Sequence, residues 1–221
     1  MKVLVACEES QAVCLEFRKI GHEAYSCDLQ ECSGGHPEWH IKADAREAMK
    51  LHWDLIIAHP PCTYLSRAGA THLFDRAGRI INIDRYMKGM DGAAFFRMFL
   101  NADCEKVAIE NPTPLKIFGL PKWTQTIEPY MFGEPWRKRT RLWLKGLEPL
   151  KPTKIVKPVG LWCGVTTATQ DENYEYKMNN VRSGKLRAKT FHGIARAMAE
   201  QWGGIYGPWI SIRRTANRSK S

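Results

Sequence analysis

With 221 residues, 44% of them hydrophobic, the chain can bury one sizeable core with a small appended lobe and is too short for two full domains. No apolar run is long enough to span a bilayer, and the first residues lack the charged, apolar and small-residue regions of a signal peptide, so a soluble cytoplasmic protein is expected. The formal charge of +10 is unevenly placed: residues 1–110 hold 13 basic against 16 acidic side chains, and residues 111–221 hold 20 against 7. Such a second half suits a polyanion, because Lys and Arg near phosphates release counterions, and it favours a polymer over a mononucleotide.

In chain order, Lys2-Val-Leu-Val-Ala6 reads as a buried first strand, and Gln11 to Ile20 as a helix with Val13, Phe17 and Ile20 near one face, ended by Gly21. Glu23 to Cys27 is a second strand closing on Asp28, and Trp39 to Ala43 a weaker third closing on Asp44. The apolar run Trp53 to Ala58 is the fourth and leads into His59-Pro60-Pro61-Cys62. A long helix follows from about Asp84 to Ala102, in which Tyr86, Met87, Met90, Ala94, Met98 and Ala102 recur at helical spacing and are read as core packing. Lys106 to Ile109 is the next strand and ends in Glu110-Asn111-Pro112. Arg137-Lys-Arg139-Thr-Arg141 then leads into Leu142-Trp-Leu144. Residues 146–189 are proline-rich, lysine-rich and polar, without sustained period, and read as a small basic lobe. A helix returns over Thr190 to Trp202, with Phe191, Ile194, Met198 and Trp202 inward, before a basic tail over 207–221. Strands alternating with helices predict an α/β fold, a doubly wound and mostly parallel sheet formed by residues 1–145 with 190–206.

Two prolines fix their own φ near −65° and bias the preceding residues towards extended geometry, so the Cys62 thiol is aimed rather than left to wander. Seven cysteines, an odd number scattered along the chain, read as reduced thiols rather than a disulfide framework. In open α/β sheets ligands bind outside the carboxyl ends of the strands, so Cys62 and Glu110 are expected to converge on one crevice. Acidic residues after the second and third strands suit a nucleoside cofactor: Asp28 for ribose hydroxyls, Asp44 for an adenine amino group. Both positions equally suit turn or helix-cap residues.

The chain resembles the C5-cytosine DNA methyltransferases, more narrowly a compact phage- or prophage-type member. His59-Pro60-Pro61-Cys62 with Ser66-Arg67-Ala68-Gly69 is similar to their Pro-Cys nucleophile loop, Glu110-Asn111 to their Glu-Asn pair, and Arg137-Lys-Arg139-Thr-Arg141 to their Gln-x-Arg-x-Arg element, in the same order. The resemblance implies a Rossmann-like fold and methyl transfer from S-adenosylmethionine to C5 of cytosine. Cys62 would add as a thiolate to C6 and make C5 enamine-like; Glu110 would hold the N3 and amino edge; Arg139 would bind O2; Asn111 would fix the loop. Positive charge from Arg139 or Arg67 would lower the thiol pKa from its free value of about 8.5. Ala6, Cys7, Glu8, Ser10, Asp28, Asp44 and Pro60 would contact the cofactor. Arg67, Arg137, Arg141, Lys185 and Arg187 would face DNA, and a duplex substrate would have its base flipped out. Partners are thus DNA and no membrane, with the oligomeric state open.

The departures from the family pattern are Cys7-Glu-Glu-Ser-Gln11 in place of a glycine-rich turn, Thr63 and Arg137 in place of glutamines, and no Gly-Asn-Ser around His192-Gly193. The span between the arginine element and the last helix is short for a target-recognition domain. Amino-methyltransferases carry Asp or Asn before Pro-Pro and an aromatic after it, which His59 and Cys62 do not match. Two further readings stay open: C5 methylation of a pyrimidine nucleotide or RNA, and a non-catalytic DNA-binding relic of the fold. Cys27, Cys32, His36 and His40 have zinc-like ligand types, but their intervals match no standard finger, and no metal is expected.

Overall fold

The computed structural model describes residues 1–162 and 189–204. In chain order its elements are β1 (Lys2–Ala6), α1 (Ala12–Lys19), β2 (Glu23–Asp28), β3 (His40–Lys42), α2 (Ala45–Ala48), β4 (Leu55–Ala58), α3 (Ile83–Leu100), β5 (Val107–Asn111), β6 (Gln125–Ile127), β7 (Trp136–Arg137), β8 (Thr140–Lys145), β9 (Gly160–Leu161) and α4 (His192–Trp202). Seven strands form one sheet in the order β3-β2-β1-β4-β5-β8-β6, and β7 and β9 pair separately. Strands β3, β2, β1, β4 and β5 are mutually parallel, while β8 runs antiparallel to both β5 and β6. The expected mostly parallel α/β sheet is therefore what forms.

Continuous apolar strands demand cover on both faces, and alternation along each strand supplies it. Val3, Val5, Leu55, Ile57, Ala108 and Leu142 pack beneath α1 and α4, against Phe17, Ile194, Met198 and Trp202. Leu4, Ala6, Ile56, Ala58, Ile109 and Trp143 face the other way, towards α2 and α3. Glu16 of α1, buried beneath α4, accepts ion pairs from Lys19 and Arg196 and joins the two helices.

One sequence expectation is corrected in α3. Met87 and Met90 are exposed, and the buried face is instead Gly89, Ala93, Phe96 and Phe99. The helix is apolar on several sides, so its periodicity did not single out one face. Ring packing decides it: Phe96 meets Trp143 edge-on at 4.8 Å, and Phe118 sits where a Cβ on Gly89 would stand 2.1 Å from its Cζ.

The described part of the expected lobe, residues 146–162, runs back along the body. Leu150 is buried in the core, its amide and carbonyl held by the Gln125 side chain at 2.8 and 2.7 Å, and β9 pairs with β7. No helix among the described residues is long and apolar enough to cross a membrane.

Candidate active site

The carboxyl edge of the parallel strands gathers the turns after β1, β4 and β5. Ala58 is in register with Ile109, so the turn carrying Cys62 leaves the sheet beside Glu110 and Asn111. Pro60 is buried, and the Asn111 Nδ2 donates to its carbonyl at 2.8 Å. Beyond the cysteine, the Leu65 and Ser66 amides both donate to the Cys62 carbonyl. Arg67 N–H donates to the Thr113 carbonyl and Leu115 N–H to the Leu65 carbonyl, which stitches this loop to the exit of β5. From α3, Arg85 donates to the Thr63 carbonyl at 2.8 Å and lies over the Tyr64 ring. The end and exit of β5 and helix α3 thus hold the Cys62 loop, and Cys62 stays partly exposed.

The remaining thiols differ. Burial pushes Cys7 and Cys14 up to about 12 and Cys27 up to about 11, which suppresses the reactive thiolate. Among the described residues Cys7, Cys32 and Cys62 are partly exposed, and Cys62 is the one on the loop tied to the end of β5.

Glu110 keeps 18% of its side chain exposed. Burial pushes its carboxyl upward, but a hydrogen bond with His59, the Lys138 and His59 charges and the Thr140 hydroxyl outweigh that, and the net shift is downward. His59 Nδ1 stands 3.3 Å from Glu110 Oε2. In the sequence His59 opens the Pro-Cys loop element and argues against amine methylation; its pairing with Glu110 depends on the β4–β5 register and has no local signal.

Because β8 is antiparallel, its start lies beside the end of β5. Arg139, just ahead of β8, therefore reaches this edge, 64% exposed, with Nε 3.7 Å from Glu128. Arg137 lies over Tyr130, and its buried Nε makes no hydrogen bond. Arg141 is tied into the body of the protein: it donates to Thr113 Oγ1 at 3.0 Å and to Thr126 Oγ1 and stacks over Trp123 at 4.1 Å, pinning β8 to β6 and to the exit of β5. Arg67 is exposed on the Cys62 loop. Lys185 and Arg187 lie outside the described residues.

The turn after β1 is built without glycine. Cys7 and Gln11 take positive φ of 60° and 57°, a left-handed geometry costing L-residues roughly 1–2 kcal/mol each. Gln11 is fully buried and exchanges two hydrogen bonds with the His36 backbone, which over-determines the turn. Between them, buried Glu8 accepts from Val13 N–H at 2.6 Å and Cys14 N–H at 3.2 Å. Burial pushes this carboxyl up to about 7, although His59 and the two amide bonds pull it down. In dinucleotide-binding folds a pyrophosphate occupies such a helix N-terminus. Here the chain's own carboxylate fills the place, which suits a cofactor without phosphates.

Ser10 Oγ accepts weakly from Ala12 N–H. Asp28 and Asp44 both act electrostatically on Cys7, so the ends of β1, β2 and β3 do converge. Asp28 Oδ1 takes the Gln30 amide. Asp44 caps α2, accepting from the amide and guanidinium of Arg46 at 2.8 and 2.7 Å, the cap role its position allowed. Cys27, Cys32, His36 and His40 do not gather: His40 is held by Ser26 and Gln30, and His36 stacks on Trp39. Among the described residues no group of three or more His, Cys, Asp or Glu is placed to hold a metal.

No family model and no curated protein matches the chain. Among solved structures, a crystal structure described as a candidate DNA modification methyltransferase encoded within prophage Cp (E. coli) aligns at 13% identity with a TM-score of 0.45. The alignment covers 72% of this chain and 53% of that one, so the chain spans about half the length of that structure.

Proposed function

We propose that the chain transfers a methyl group from S-adenosylmethionine to C5 of cytosine in DNA. The observation that supports this best is the tie from Asn111 to the Pro60 carbonyl, which fixes a partly exposed thiol beside an ionised strand-end carboxylate.

In this reading Ala6, Cys7, Ser10, Asp28, Asp44 and Pro60 hold S-adenosylmethionine, and Glu8 shapes the turn beneath it. The bound cofactor supplies an electrophilic methyl group. The residues of the chain do the rest. Cys62, as thiolate, forms a bond to C6, the C5–C6 π pair shifts to C4–C5, and the C4–N3 pair moves onto N3. Glu110 holds N3 and the amino edge and, once it has taken up a proton, passes it to N3, which removes the charge that addition would build. Arg139 binds O2, Asn111 holds the loop, and Arg67 and Arg137 face phosphates, with Lys185 and Arg187 assigned the same role from sequence. After transfer a base takes the C5 proton and the thiolate leaves.

Incubation with labelled S-adenosylmethionine and DNA, RNA or free nucleotides, followed by nucleoside mass spectrometry, tests this reading. Label in 5-methylcytosine from DNA is expected, together with a covalent adduct on 5-fluorocytosine DNA, since fluorine cannot leave as a proton does. Label in RNA or nucleotides alone would assign another pyrimidine substrate, and no label with no adduct would overturn the proposal.

A further inference from the structure

Between the turns after β1 and β4 lies a largely buried histidine that the scheme above does not use. The His59 side chain is only 10% exposed, its Nδ1 is 3.3 Å from Glu110 Oε2, and its buried Nε2 makes no hydrogen bond. Glu8, fixed by the α1 amides, acts on the same imidazole from the cofactor side. A buried polar atom left without a partner calls for a reason. A carboxylate can only accept, so Nδ1 carries the proton of the bond to Glu110.

We propose that His59 is a positioning residue that aims the Glu110 carboxylate and recharges it with the proton that Glu110 delivers to the base. This rests on the methyltransferase reading for its chemistry but not for its geometry. From the imidazolium form, the Nδ1 proton passes to Glu110 as the pyrimidine enters, leaving a neutral ring protonated on Nε2. The carboxylic acid then gives that proton to N3 as the sulfur–C6 bond forms. On thiolate departure N3 loses the same proton to Glu110, which returns it to Nδ1, so no outside donor is needed. The charged groups facing the pair are Glu8 from the turn after β1, with Glu9 beside it, and Lys138 from the segment before β8, while Thr140 adds a hydroxyl.

Two variants separate the roles. His59→Leu removes both donor and charge; His59→Asn retains an amide donor near the Nδ1 position but carries no proton to give. With the Glu110 carboxyl followed by carbon NMR, His59→Leu should raise its titration by about one unit or more, and His59→Asn by less. Methyl transfer to DNA by His59→Asn should fall by about 10²-fold and its pH–rate profile should change shape, because the variant side chain has no proton to pass on. An unmoved Glu110 titration in both variants, or a slower rate with an unchanged profile, would overturn the inference. If wild-type protein forms no adduct on 5-fluorocytosine DNA, the methyltransferase reading fails, while the Glu110 titration still decides the pairing.

Discussion

The turns after β1 and β4 leave the same edge of two paired strands, yet they are built oppositely. The first turns its carboxylate inward: Glu8 is held on helix amides, Gln11 is sealed, and the Cys7 thiol is pushed up to about 12. The second buries Pro60, Leu65 and Ser66 around a cysteine that stays partly exposed. A turn that folds its carboxylate inward can form a floor for a ligand, and one that keeps a nucleophile partly exposed can react with it. Position at a strand end alone does not separate these roles; burial and hydrogen bonding do.

The largest effect should come from exchanging the two thiols' fates. Cys62→Ala should reduce methyl transfer to background while S-adenosylmethionine still binds, measured by label incorporation and calorimetry; unchanged turnover would sink the nucleophile assignment. Iodoacetamide mapping should find Cys62 modified ahead of Cys7, which holds roughly 10³-fold less thiolate than a free thiol near 8.5.

Next comes the contrast between Glu8 and Glu110. The folded-state value of Glu8 is raised from 4.5 to about 7, so between those values the folded protein holds a proton the unfolded chain has lost. Its effect on stability therefore becomes less favourable as pH rises through that window, by on the order of 3 kcal/mol. Glu110 runs the other way: its depressed value contributes stability above the unfolded value of 4.5 that is lost as pH falls through the folded one. Melting temperatures across pH 4.5 to 7 should fall more gently in Glu8→Gln than in wild type, although the variant leaves one α1 amide without its acceptor. An identical slope would remove Glu8 as the cause.

Asn111→Ala orphans the buried Pro60 carbonyl and should cost about 2 kcal/mol in denaturant unfolding, with slower transfer as the loop loosens. Stability retained within error would mean the loop is held from Thr113 and Arg85 alone. Smallest in stability is Arg139→Ala. Its long, exposed pairing with Glu128 is worth no more than about 0.5 kcal/mol, so a fall in transfer without a fall in melting temperature is expected.

Much of this was legible in the chain. The apolar runs marked the strands because burial on both faces requires them, and Pro60-Pro61 marked an aimed thiol because a proline ring fixes φ wherever it occurs. The α3 face was misread because Met87, Met90 and the phenylalanines give overlapping periods, and only the seat of Phe118 over Gly89 chooses among them. Arg141 read like Arg139 in a basic run, and only the packed structure shows it bonded to Thr113 and Thr126 and stacked on Trp123.

The sequence by itself determined the local devices: the rigid turn, the Glu110-Asn111 strand end and the basic approach to β8, all products of forces acting between near neighbours. Only the tertiary structure decided that β4 pairs with β5 in the register that sets His59 against Glu110, that β8 reverses and brings Arg139 to the shared edge, and that Glu8 turns inward to α1. These depend on hydrogen bonds between residues far apart along the chain, whose partners are fixed by sheet register and burial, and no local pattern encodes them.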